Sequence, residues 1–301
     1  MTKQQTAINL ALWALIALYA AATVLPLFAG RVPVTAIVAA HIVPTALFAL
    51  LHGAISYRVR GILVFAAICL VIGNIMENLG VRTGFPFGHY YFTDGMGPKL
   101  FVVPLLMGPA YMGMGYLAWT LGRLILSPRD ALAGSRVVTV PMTASFIMVA
   151  WDLVIDPTLS TIGRYWIWPQ GGAYFGVPAT NFLGWYLTNY VIYQGFALYL
   201  RRRSPPAGSL PAGYWRQAVL FYAVVAAGNV LRALAPPGLP SSVVADPAGT
   251  QWKVRDINGA GALAAIFVMG AFAMLAWVRG EEPRAYSGST PMDRPRSSAN
   301  G

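Results

Sequence analysis

Three carboxylic acids lie in or at the ends of long apolar runs: Glu77 in Asn74-Ile-Met-Glu77-Asn78, and Asp152 and Asp156 in Trp151-Asp152-Leu-Val-Ile-Asp156-Pro157. On a helix, Asp152 and Asp156 stand at i and i+4 and share one face, as do Asn74, Glu77 and Asn78. An acid placed inside a membrane costs about 2.5–3.5 kcal/mol on insertion scales, so such residues are functional candidates by default. A carboxyl withdrawn from water favours its neutral form, and a neutral acid can donate a proton to an electron-rich double bond. The carbocation that follows needs shielding and negative potential, which aromatic faces and a nearby carboxylate supply. Two acids in one site repel as like charges, which encourages one acid and one base.

Aromatic residues gather in two stretches beside these acids. The first runs from Gly80 to Asp94 and holds Phe85, Phe87, His89, Tyr90 and Tyr91 among glycines that permit tight turns. The second runs from Tyr165 to Trp185 and holds Trp166, Trp168, Tyr174, Phe175 and Asn181. Together with Trp151, Asn74 and Asn78, these residues are the candidate walls of a substrate pocket. Such residues also serve as an aromatic belt at the membrane interface, and acids at helix ends also pair with headgroup-level arginines; spacing alone leaves those readings open.

Other chemistries find no support. The three histidines, His41, His52 and His89, form no HExxH motif, and the single Cys69 has no partner, so no metal site is expected. No glycine-rich phosphate loop follows a strand. Lys3, Lys99 and Lys253 all fall outside the span centres, which argues against a retinal-type Schiff base. His41 and His52 share a helix face and read as buried hydrogen-bonding residues.

The elements that must position the acids follow from composition. Only 10% of the 301 residues are charged, against about 25% in soluble domains. So few charges cannot cover a water-facing surface, and lipid is the natural solvent. The net charge of +11 comes from basic residues placed between apolar runs, which fits topology signals better than nucleic-acid binding. The hydropathy pattern predicts spans near 8–29, 33–54, 61–79, 100–126, 137–156, 180–200, 216–235 and 258–278, each near the roughly 20 residues needed to cross a bilayer. The first is read as a retained helix rather than a signal peptide.

The fold class is therefore all-α: one polytopic transmembrane domain over 1–279 of about eight helices, with a disordered cytoplasmic tail at 280–301. Fourteen of the 21 basic residues fall on the side of the termini, so the chain is expected in a bacterial inner (plasma) membrane with both termini in the cytoplasm. The two long aromatic connections, 80–99 and 157–179, then lie on the other side and are expected to dip into the mouth of the bundle.

These segments resemble the CruF-type carotenoid biosynthesis proteins, the membrane carotenoid 1,2-hydratases. The matching pieces are Glu77 with Gly80, Thr83-Gly-Phe-Pro-Phe-Gly88 with Tyr90, Gly97-Pro98 with Val103-Pro104, Trp151-Asp152 with Asp156-Pro157, and Gly176-Val177-Pro178 with Asn181-Phe182 and Gly184-Trp185. They cover roughly 70–200. The resemblance implies addition of water across the terminal C1=C2 bond of an acyclic carotenoid end group, without a cofactor. Glu77, Asp152 and Asp156 are then the catalytic acids, with Asn181 or His89 assisting. Where the resemblance leads one to expect a further tyrosine, at position 92, this chain has Phe92, with Tyr91 as the neighbouring hydroxyl that could substitute. Two other classes share these features: a proton-initiated terpenoid cyclase or isomerase, and a non-enzymatic transporter or lipid-binding membrane protein. In each case the implied partners are a hydrophobic isoprenoid and the bilayer.

Overall fold

Arg58 turns the longest apolar run back on itself. The computed structural model describes residues 3–25, 34–126, 132–202, 210, 213–234 and 243–281. Within them, α1 spans Lys3–Ala22 and α2 spans Val34–Thr83. At Arg58 the backbone takes φ 59° and ψ 166°, which is not helical. The two arms of α2 fold together there, so that Gly53 lies against the Ile62 side chain. The expected spans at 33–54 and 61–79 are these two arms.

The chain continues through α3 (Met107–Leu126), α4 (Arg136–Pro157), α5 (Ala179–Arg201) and α6 (Tyr214–Leu234). The last rod is α7 (Val254–Ala264), a π-turn over Ala265–Met269, and α8 (Gly270–Glu281). Among the described residues there are thus seven helical runs, one of them doubled back, in an all-α polytopic bundle. The expected tail lies outside the described residues from 282 onward, and α8 runs to Glu281.

Five of the described runs are long and apolar enough to cross a membrane: Lys3–Ala22, Thr35–Thr83, Arg136–Ile162, Tyr214–Leu234 and Val254–Glu281. Large apolar side chains such as Leu10, Leu63, Ile75, Leu183 and Phe267 point outward, as lipid-facing residues do. By contrast, α3 is buried along most of its length. A helix enclosed by protein needs close packing more than apolar bulk. A Cβ at Gly113 would lie 2.8 Å from the Ala46 backbone nitrogen, and one at Gly122 would lie 3.0 Å from that of Ala144.

The expected span at 100–126 starts too early. Residues 99–104 form a small hairpin, β2 (Lys99–Leu100) against β3 (Val103–Pro104), and the helix begins only at Met107. Pro98 and Pro104 remove backbone donors that a helix through this stretch would need.

The two aromatic connections are tied together. β1 (Tyr91–Phe92) pairs antiparallel with β4 (Trp166–Ile167), Tyr91 opposite Ile167 and Phe92 opposite Trp166. The Thr93 hydroxyl donates to the Arg164 carbonyl at 2.9 Å, and the Thr180 hydroxyl donates to the Phe87 carbonyl at 3.0 Å. Phe87, only 1% exposed, wedges between α2 and α5 at two glycines. A Cβ at Gly80 would stand 2.6 Å from its ring, and one at Gly184 would stand 2.7 Å from the ring and 2.8 Å from the Pro86 carbonyl oxygen. Gly184→Ala should therefore cost about 1–3 kcal/mol, as overpacking does, visible as a lower thermal midpoint in detergent.

The opposite end is held separately. Arg216 at the start of α6 pairs with Glu281 at 2.8 Å, and Gln217 donates to Asn9 of α1 at 2.8 Å. Further inside, His52 stacks on Tyr214 and contacts the Tyr116 hydroxyl at 2.7 Å and the Tyr214 carbonyl at 2.9 Å, as a buried hydrogen-bonding histidine would.

Candidate active site

The last turns of α2 and α4 and the first turn of α5 meet under the aromatic connections. They bring Glu77, Asp152, Asp156 and Asn181 into one cluster, each no more than 3% exposed. The three carboxyls lie within electrostatic reach of one another. Glu77 and Asp156 sit near the negative ends of their helices, whereas Asn181 opens α5, whose positive end faces the acids.

Hydrogen bonding distinguishes the acids. The Glu77 carboxyl accepts from two phenols, the Tyr111 hydroxyl at 2.7 Å on Oε1 and the Tyr90 hydroxyl on Oε2. Asp156 accepts two N–H groups, Trp166 Nε1 at 2.8 Å on Oδ1 and Asn181 Nδ2 on Oδ2. The same Asn181 amide donates to Asp152 Oδ2 at 3.0 Å. Asp152 Oδ1 is buried and, among the described residues, has no hydrogen-bond partner. One acid thus presents a bare oxygen, while the other two have both oxygens occupied. A buried polar atom without a partner is uncommon enough to mark a place where a proton or ligand acts.

Aromatic rings surround the acids. Tyr90 packs edge-on to Phe87 and Phe92 and lies 4.8 Å from Trp168, centroid to centroid. Phe92 meets Trp166, Tyr111 stacks on Trp185 at 4.8 Å, and Trp151 meets Trp185 edge-on at 6.1 Å. Burial, and then the adjacent Glu77, holds the Tyr90 phenol well above its usual range, so it remains a donor.

Several expected site residues stand elsewhere. His89 is exposed, its ring lying over Gly84, and makes no hydrogen bond to the carboxyls. Phe85 and Tyr91 are 56% and 50% exposed. Side chains alternate along a strand, so in β1 Phe92 turns inward and Tyr91 outward; Tyr91 does not replace the missing hydroxyl. Asn78 donates to the Asn74 carbonyl and side-chain oxygens at 2.9 and 3.1 Å, and neither amide bonds an acid. Tyr174 donates to the Leu153 carbonyl at 3.2 Å, and Phe175 packs on Trp252; both form an outer layer. Tyr111 was not anticipated. Its signal is a tyrosine within an apolar, glycine-rich run, where a buried hydroxyl must find a partner.

A family model described as "Carotenoid biosynthesis protein" matches residues 31–243, which enclose the whole cluster. Bisanhydrobacterioruberin hydratase of Haloarcula japonica is 35% identical over 123 residues. That stretch covers 38% of this chain and 38% of the relative, well under two thirds of its length. No solved structure matches the chain.

Proposed function

The chain belongs to the carotenoid biosynthesis protein family, and from that premise we propose that it hydrates the terminal C1=C2 double bond of an acyclic carotenoid end group. The observation that carries this reading is the unequal occupation of three buried carboxyls inside an aromatic shell. Asp152, with Oδ1 bare, delivers a proton to C2. The tertiary cation at C1 is shielded by the surrounding rings and stabilised by Glu77, which the two phenols hold in place. Asp156, fixed by Trp166 and Asn181, takes a proton from the water that attacks C1. One hydrogen has then gone to C2 and one hydroxyl to C1. Asp152 has lost a proton and Asp156 has gained one, and proton exchange resets the pair. These steps use protein groups alone.

The polyene arrives laterally from lipid. The acid cluster faces the non-cytoplasmic side of a bacterial inner membrane, because the opposite end carries most of the basic residues.

Co-expression with a lycopene pathway, followed by mass analysis, tests the proposal. The expected result is a gain of one water per processed end. An isomer of unchanged mass would favour a cyclase or isomerase instead. Unaltered lycopene, together with proton-driven uptake into vesicles, would favour a transporter.

A further inference from the structure

Hydration consumes a water, and the acids that would use it are closed to solvent. Where the water crosses the aromatic cap can be read from a part of the chain just beyond the family match, which ends at residue 243. There β5 (Val243–Ala245) and β6 (Gln251–Lys253) form an antiparallel hairpin between α6 and α7. Its turn is organised by Asp246, which accepts from the Thr250 backbone N–H and from Trp252 Nε1, both at 2.9 Å. The hairpin is pinned to the second aromatic connection. Arg164 donates to the Ala245 carbonyl at 2.8 Å, and Asp246 packs so closely that a Cβ at Gly176 would lie 3.0 Å from its own Cβ.

Between hairpin and connection lies a water-sized pocket lined by Ser160, Thr161, Trp166, Trp168, Ala245 and Asp246, among others. Ala245 and Pro247 on its rim are exposed. Its inner wall is shared with the acid cluster. Trp166 donates through it to Asp156. The Trp168 indole N–H lies near the same carboxyl but outside hydrogen-bonding geometry, and so is a buried donor without a partner. The Ser160 hydroxyl donates to the Asp156 carbonyl at 2.8 Å and keeps lone pairs free to accept. A small pocket with several polar partners suits one bound water.

We propose that this pocket is the port through which the nucleophilic water reaches Asp156, with the 243–253 hairpin forming its outer wall. The inference rests on the hydratase reading. Water enters from the aqueous face while the polyene comes from lipid, so the two reactants do not share a path. If the port is blocked, the cation still forms at C1, but it can only return a proton and restore the alkene.

Ala245→Phe tests this by adding bulk at an exposed strand position that touches no acid. The full-length variant is first equilibrated in heavy water until its buried carboxyls carry deuterium and then mixed in excess with lycopene, and hydration and deuterium incorporation into recovered polyene are measured together within a single turnover. The ratio of exchange to hydration should rise about tenfold or more relative to wild type. An unchanged ratio, or equal loss of both activities in folded protein, would overturn the port. If Ala245→Phe does not fold, Pro247→Trp on the same rim decides by the same criterion. Lycopene returned by wild type with neither label nor added water would overturn the hydratase reading and the port with it.

Discussion

Asp152→Asn is expected to lower hydration about 10²–10⁴-fold, the usual contribution of a positioned general acid, while leaving the protein inserted and folded. The asparagine keeps an oxygen toward Asn181, replacing the 3.0 Å contact on Oδ2. Its amide nitrogen then occupies the place of Oδ1, which has no hydrogen-bond partner among the described residues. No donor opposes it there. Removing an ionisable group from a buried site also removes a desolvation cost. The thermal midpoint in detergent should therefore equal or exceed that of wild type. Deuterium exchange into lycopene should disappear along with hydration, because protonation of C2 comes first. An Asp152→Asn protein that hydrates at the wild-type rate would remove Asp152 from the role of acid.

Asp156→Asn is expected to behave differently on both counts. Both oxygens of Asp156 accept N–H donors, from Trp166 and from Asn181. An amide nitrogen on either side meets a donor, so one hydrogen bond is lost at a cost of about 1–3 kcal/mol. The thermal midpoint should fall. Hydration should drop about 10²–10⁴-fold, because the base for water is gone, yet deuterium exchange should persist through Asp152. Loss of exchange together with hydration in Asp156→Asn, with exchange persisting in Asp152→Asn, would exchange the roles of the two aspartates. The contrast between a stable variant without exchange and a destabilised one with exchange separates acid from base more clearly than either loss of activity alone.

How far the sequence foretold this arrangement depended on the kind of signal each residue carried. The three acids are legible because a carboxyl in an apolar run is costly, and helical spacing places Asp152 and Asp156 on one face. Asn181 is legible through the Gly176-Val177-Pro178 and Asn181-Phe182 pieces that carry the family resemblance. Tyr111 is hidden, since nothing in an apolar glycine-rich run shows which hydroxyl will be drawn to a distant glutamate. His89 misleads for the opposite reason. Its chemistry is suitable, but Gly84 and Gly88, both at positive φ, turn the chain so that the ring faces outward. The two-residue alternation in β1 separates Tyr91 from Phe92, and a strand of that length leaves no pattern to detect. The Asp246-Pro247-Ala248-Gly249 turn carries recognisable turn residues, but its docking against Gly171 and Gly176 is a long-range contact. The all-α bundle survived because hydropathy reports on solvent, while the expected eight helices became seven described runs because α2 continues through its bend at Arg58. The start of α3 did not, because prolines, not polarity, set it.

Isotopic analysis of product formed by purified protein from lycopene in heavy water enriched in heavy oxygen tests the central claim most directly. The account predicts one deuterium at C2 and one heavy oxygen at C1 of each processed end from wild type, and unlabelled lycopene from Asp152→Asn. Product carrying both labels from Asp152→Asn at the wild-type rate, or wild-type product lacking deuterium at C2, would contradict it.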